Sequence, residues 1–130
     1  MDYQAQVLAT SSSSSLLDLT SFLGLQMPFE RMTNEDLEHA ENRASMIMAA
    51  LGLAGEAGEV ADLMKKAVFH KHKYNPDKLH EELGDVQWYV ARFASAAKFN
   101  LNDIMKKNIE KLQARYKGGF SHEASINRVA

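Results

Sequence analysis

Cysteine is absent from the 130 residues. Disulfide bridges, thiolate zinc sites and cysteine nucleophiles are therefore excluded, and any metal must be held by oxygen or imidazole. Proline is scarce, with only Pro28 and Pro76 to interrupt long helices. An excess of basic charge is missing too. Fifteen Lys and Arg against 17 Asp and Glu leave a net charge of −2, a poor match for a protein that coats nucleic acid. The longest uncharged apolar run, Met46 to Gly55, is about half of the roughly 20 residues a membrane helix needs. The opening Met-Asp-Tyr-Gln has neither the basic start nor the apolar stretch of a secretion signal. A cytoplasmic protein is the expectation, with no membrane and no nucleic acid as partner.

What is present is an ordinary globular mix, 45% apolar and 25% charged, in a chain of one domain's length. Residues 1–32 read as an N-terminal arm: short helices are expected over Tyr3–Ala9 and Leu16–Leu25, around the serine run Ser11–Ser15. Thr33 then offers a helix cap, with Asp36 three residues on as a short-armed capping box. Helical spacing of Ile47, Leu51, Ala54, Gly58 and Ala61 carries that helix to about His70. Glycine costs about 1 kcal/mol inside a helix, so Gly52, Gly55 and Gly58 imply close approach of a backbone or a ligand.

Asn75-Pro76 opens a second helix, with Leu79, Leu83, Val86, Val90, Phe93 and Ala97 on one face. A last helix starts at Asn100 or Asn102 and runs to about Tyr116, with Ile104, Ile109 and Leu112 inward. Gly118-Gly119 stop it, and 122–130 read as a loose tail. No segment keeps strand alternation, so the expected fold is all-α. A helical hairpin plus further helices, over residues 33–121, gives a four-helix-bundle core. A partner copy is expected to complete it, making a dimer at minimum.

Two acidic pairs stand out. Glu56 and Glu59 are three residues apart, as are Glu82 and Asp85. Residues at i and i+3 project from one helix face, so each pair forms a two-carboxylate claw. The chain between Glu59 and Glu82 is long enough to finish one helix, turn and run back antiparallel, at ~1.5 Å per residue. Both claws then face each other at similar height. Four converging carboxylates repel unless a divalent cation sits among them, and an all-oxygen set favours magnesium, with manganese as the alternative. Apolar neighbours, Leu53, Ala54, Ala57 and Val60 for one pair and Leu83, Val86 and Trp88 for the other, point to burial. On spacing alone, surface acids on amphipathic helices are an equal alternative.

The run Gly52-Leu-Ala-Gly-Glu-Ala-Gly-Glu-Val-Ala-Asp62, followed by Glu81-Glu-Leu-Gly-Asp-Val-Gln-Trp-Tyr89, resembles the MazG-like all-α nucleotide pyrophosphohydrolases. The resemblance continues through Asn108–Tyr116 and Gly119-Phe-Ser121. It covers about residues 43–121. One position departs: Gly55 stands where the family pattern has the first of two adjacent glutamates, so one carboxylate that serves as a base or holds another ion is missing.

The resemblance implies magnesium-dependent hydrolysis of a nucleoside triphosphate to a monophosphate and pyrophosphate, in house-cleaning or nucleotide-pool control. It makes Glu56, Glu59, Glu82 and Asp85 the metal ligands and catalytic acids, with one of them or Glu81 orienting the water. Asn108, Lys111 and Arg115, on the last helix, become ligands of the substrate phosphates, with Lys65 and Lys66 as alternatives. Tyr89 and Trp88 become stacking partners for the base. His70 and His72 are expected to be exposed. Two other readings stay open: phosphoribosyl-ATP pyrophosphohydrolase-like activity, and a non-catalytic helical module that oligomerises or binds nucleotide without turnover.

Overall fold

A computed structural model describes residues 2–11 and 14–127. Ser12 and Ser13 of the serine run, and the last three residues of the tail, lie outside the described residues. The described residues form α1 (Tyr3–Thr10), α2 (Ser15–Phe22), a short 3-10 turn at Phe29–Arg31, α3 (Asn34–Phe69), α4 (Pro76–Ala96), α5 (Leu101–Arg115) and α6 (His122–Ile126). They contain no strand, and the fold is all-α. Contacts divide the chain into a unit over residues 1–98 and another over 99–130.

In the first unit the helix ends follow from local chemistry. Thr33 caps α3: its hydroxyl accepts from the Asp36 backbone N–H at 3.1 Å, and the Asp36 carboxylate accepts from the Thr33 N–H at 3.0 Å. Asn75 caps α4 through the Lys78 N–H at 3.0 Å, with Pro76 in the first turn. Between them the 36-residue α3 reverses at His70–Asn75, where Lys71 takes a left-handed backbone (φ 57°). The result is the expected antiparallel hairpin. Helices α2 and α1 pack on it, α2 against α3 and α1 against α4.

The α3–α4 interface differs from the apolar stripe expected of α3. Ala44, Ser45 and Ala49 are buried, whereas Ile47 is 51% and Leu51 71% exposed; Ala54, Gly58 and Ala61, of the same stripe, are exposed as well. The reason is close approach. Between Ala44 and Gly55 α3 is apolar on nearly every side, and small residues, not large ones, admit α4: Ser45 meets Arg92 and Gly52 meets Tyr89. Gly52 is the extreme case: a Cβ there would fall inside the ring of Tyr89. The other two glycines do not share that role, because a Cβ on Gly55 or Gly58 meets nothing within 4 Å.

A part-buried polar network ties the arm to the hairpin. The Glu41 carboxylate accepts from the N–H groups of Ser15 (2.7 Å) and Leu16 (2.9 Å) and from the hydroxyls of Ser14 (2.8 Å) and Ser45 (3.1 Å). It thus caps the N-terminus of α2 from a neighbouring helix. Burial works to raise its pKa, yet the hydrogen bonds from Leu16, Ser14, Ser15 and Ser45 together hold it below the usual glutamate value. Buried Arg92 donates to the same Ser45 hydroxyl at 2.9 Å.

By length and composition α3 also passes for a membrane span, with mean hydropathy 1.2 over its most apolar window. The hairpin helix of a bundle meets the same test.

In the second unit Asn100, of the two candidate caps, is the one used: its side chain accepts from the N–H groups of Asn102 (2.9 Å) and Asp103 (3.3 Å). Of the residues expected inward on α5, Ile104 and Ile109 are exposed, at 39% and 52%, and Leu112 is half-buried. The tail read as loose carries α6, capped by the Ser121 hydroxyl on the Ala124 N–H at 3.1 Å. A serine cap suffices for one short turn where apolar periodicity is too brief to register.

Candidate active site

The antiparallel hairpin brings three of the four acids together. Glu56 of α3 and Glu82 and Asp85 of α4 each place one carboxylate oxygen within 4.8 Å of the others. Their surroundings differ. Glu82 is 5% exposed, Glu56 is half-buried and Asp85 is exposed, so the cluster is anchored inside and open outside. Glu59, expected in the same set, is exposed and stands outside the triad.

The triad is electrostatically loaded. The Glu56 carboxyl is pushed above the usual glutamate range, first by loss of solvation and then by the like charges of Asp85, Glu82 and Glu59. Part of the compensation comes from Lys78, whose ammonium lies 2.8 Å from Glu82 and 3.4 Å from Glu81 on the outer side. The i,i+4 spacing of Lys78 to Glu82 is a signal of this pair that the sequence already carries. A triad of carboxylate oxygens with no sulfur or imidazole suits a hard divalent ion, and crowding of like charge is what such an ion relieves.

A pH dependence follows. A folded-state carboxyl with a raised pKa binds its proton more tightly than in the unfolded chain, so this contribution to stability is present at low pH and lost as pH rises through the folded value. The Glu56 contribution to the stability of the metal-free chain is therefore expected to fall as pH rises from about 4.5, the ordinary glutamate value. A hard divalent ion, tested as millimolar magnesium, is expected to restore it. Thermal melts at several pH values, with and without magnesium, check this; an identical pH trend in both would contradict it.

Lys65 and Lys66 are both ion-paired to Asp62, whose carboxyl they bring down to about 2 through hydrogen bonds and charge. That engagement weakens them as phosphate ligands. Asn108 and Lys111 are exposed on α5 and Arg115 half-buried, with its guanidinium 6.0 Å from the Tyr116 ring centre. His70 and His72 are exposed in the hairpin turn, as expected.

Tyr89 lies over Gly52, one turn beyond Asp85, and meets Trp88 edge-on at 4.9 Å between ring centres. Both aromatics are half-buried. The Trp88 indole N–H is taken: it donates to the Thr10 hydroxyl at 2.8 Å. Sequence spacing gave no sign of this contact across 78 residues.

Residues 45–120 match the MazG nucleotide pyrophosphohydrolase domain. The chain belongs to that family. Its matched region contains all three triad acids, Glu59, and the α5 residues Asn108, Lys111 and Arg115. The MazG-like chain is also 40% identical over 82 residues to the Gene 37 protein of Mycobacterium phage L5, an alignment spanning 60% of this chain and 72% of that protein. No solved structure matches it. The first 44 residues, with α1 and α2, precede the matched MazG region.

Proposed function

We propose that the chain is a magnesium-dependent nucleoside triphosphate pyrophosphohydrolase, releasing pyrophosphate and a nucleoside monophosphate. The observation that carries this reading is the convergence of Glu56, Glu82 and Asp85 from two antiparallel helices of a MazG-family domain. Bound there, magnesium would neutralise the triphosphate oxygens and lower the pKa of a water for attack at the α-phosphorus. The residues have separable tasks. Glu82, held by burial and by Lys78, and Asp85 opposite Glu56 fix the ion's seat. Glu59, exposed one turn from Glu56, would support it from the solvent side. One of these acids, or Glu81, would receive the proton of the attacking water. Asn108, Lys111 and Arg115 are assigned to the leaving phosphates. Tyr89 supplies a face for the base and Trp88 its edge-on support. The test is a panel of ribo- and deoxyribonucleoside triphosphates assayed with magnesium for pyrophosphate. Release from at least one supports the reading, and binding without turnover would replace it with a non-catalytic nucleotide-binding module.

The same reading includes a homodimer or homotetramer and a cytoplasmic setting, without membrane or nucleic acid as partner. What supports assembly is the outer stripe of α3. Ile47 and Leu51 are more than half exposed, and Leu83 on α4 is 50% exposed, apolar surface that a second copy would bury. Leu51→Glu places a charge in that stripe while touching none of the acids. It is expected to convert the assembly to a 14.6 kDa monomer in sedimentation velocity. A wild-type chain that is already monomeric at micromolar concentration would contradict the assembly.

A further inference from the structure

We infer that α1 is a positioning element for the nucleotide site, acting through Thr10 on Trp88. The inference rests on the reading above, that a nucleotide lies beside the acidic triad. Helix α1 is pinned to α4 at both ends: Gln4 donates to the Ser95 hydroxyl at 2.9 Å, and the Trp88 indole donates to the Thr10 hydroxyl at 2.8 Å. Ser95 and Trp88 are seven residues apart, about 10 Å along a helix, and Gln4 and Thr10 are six apart, about 9 Å. The two helices thus run antiparallel in matched register, with Val7 sealed between the pins at 2% exposure.

Thr10 is more than a chance partner. Its hydroxyl donates to the carbonyl of Val7 at 3.0 Å, which turns a lone pair toward the indole. Trp88 then meets Tyr89 edge-on, and Tyr89 fills the space over Gly52. In the line Thr10, Trp88, Tyr89, Gly52, Tyr89 lies one helical turn from Asp85 and Gly52 one turn from Glu56. Without Thr10 the half-buried indole is free to rotate, and the edge that orients Tyr89 goes with it. Because α1 lies outside the matched family region, this is a device of the chain's own N-terminal segment laid on a shared hairpin.

Trp88 is the single tryptophan, so its fluorescence reports this contact alone when excitation avoids tyrosine. In the full-length chain, Thr10→Ala and Thr10→Val are expected to shift Trp88 emission to the red and increase quenching by acrylamide. They raise KM for the nucleoside triphosphate about two- to tenfold, the worth of one hydrogen bond, with kcat and the magnesium requirement unchanged. Thr10→Ser, which keeps the hydroxyl, restores both readouts. Unchanged emission and KM in Thr10→Ala, or failure of Thr10→Ser to restore them, would overturn the inference.

A wild-type chain that releases no pyrophosphate defeats the proposed activity but not this test. Titration of Trp88 emission with magnesium and a non-hydrolysable deoxynucleoside triphosphate analogue then decides. Weaker binding by Thr10→Ala supports the positioning role; equal binding, or no response in either protein, overturns it.

Discussion

Glu82→Gln is expected to reduce pyrophosphate release by about 10³-fold or more while the far-ultraviolet helical signal stays intact. The substitution keeps shape and hydrogen-bonding reach but removes one full charge from the best-buried member of the triad, which is 5% exposed. A carboxylamide neither holds a hard divalent ion as a carboxylate does nor contributes charge where a water must be activated. The fold survives because the metal-free triad is self-repelling. Glu56 is already pushed toward its protonated form by Asp85 and Glu82, so losing the Glu82 charge relieves that crowding. Lys78 loses its close partner but is about half exposed, and water replaces the contact at little cost. Glu59→Gln provides the contrast. Glu59 lies outside the triad, so its loss is expected to raise the magnesium needed for half-maximal activity by about 10–100-fold, as for a supporting group, with recovery at high magnesium. Steady-state kinetics across a magnesium series separates the two. Equal, metal-rescuable defects would mean that the four acids act alike and that the triad has no special standing.

Gly52→Ala should be the most damaging single methyl group in the hairpin. Elsewhere in a helix this change stabilises by about 1 kcal/mol through propensity. Here the new Cβ occupies space held by the Tyr89 ring, and displacing an aromatic from a packed interface costs about 1–3 kcal/mol. The ring must swing away from α3 or α4 must move out, and either motion disturbs Asp85, one turn before Tyr89. Lower thermal stability and weaker nucleotide binding should therefore appear together. A double-mutant cycle makes the cause visible. In a Tyr89→Ala background the space is vacant, and Gly52→Ala should change sign and become stabilising. If it destabilises equally in both backgrounds, the ring is not what it meets.

The parts of this structure that were legible in the sequence rest on local rules. Thr33 with Asp36, Asn75 with Pro76, and Asn100 mark helix starts by capping chemistry, and each cap is where those residues place it. The acidic pairs were readable because i,i+3 spacing and hairpin length are both arithmetic on the chain. What stayed hidden depends on which side of a helix meets which neighbour. The middle of α3 is apolar almost all round, so periodicity points to the stripe of Ile47 and Leu51 although α4 meets α3 at Ser45 and Gly52. For the same reason the claws looked equally enclosed, whereas only Glu82 is buried and Glu59 faces solvent. The Glu41 clasp and the contact between Thr10 and Trp88 join residues far apart in the chain through single polar atoms, and no local pattern announces such pairs.

The most direct measurement is hydrolysis of a nucleoside triphosphate in ¹⁸O-labelled water with magnesium, with both products examined by mass spectrometry. The expected result is label in the nucleoside monophosphate, unlabelled pyrophosphate, and no reaction when magnesium is chelated or Glu82 is replaced by glutamine. Label in released orthophosphate, or cleavage that persists without the metal and without Glu82, would contradict it.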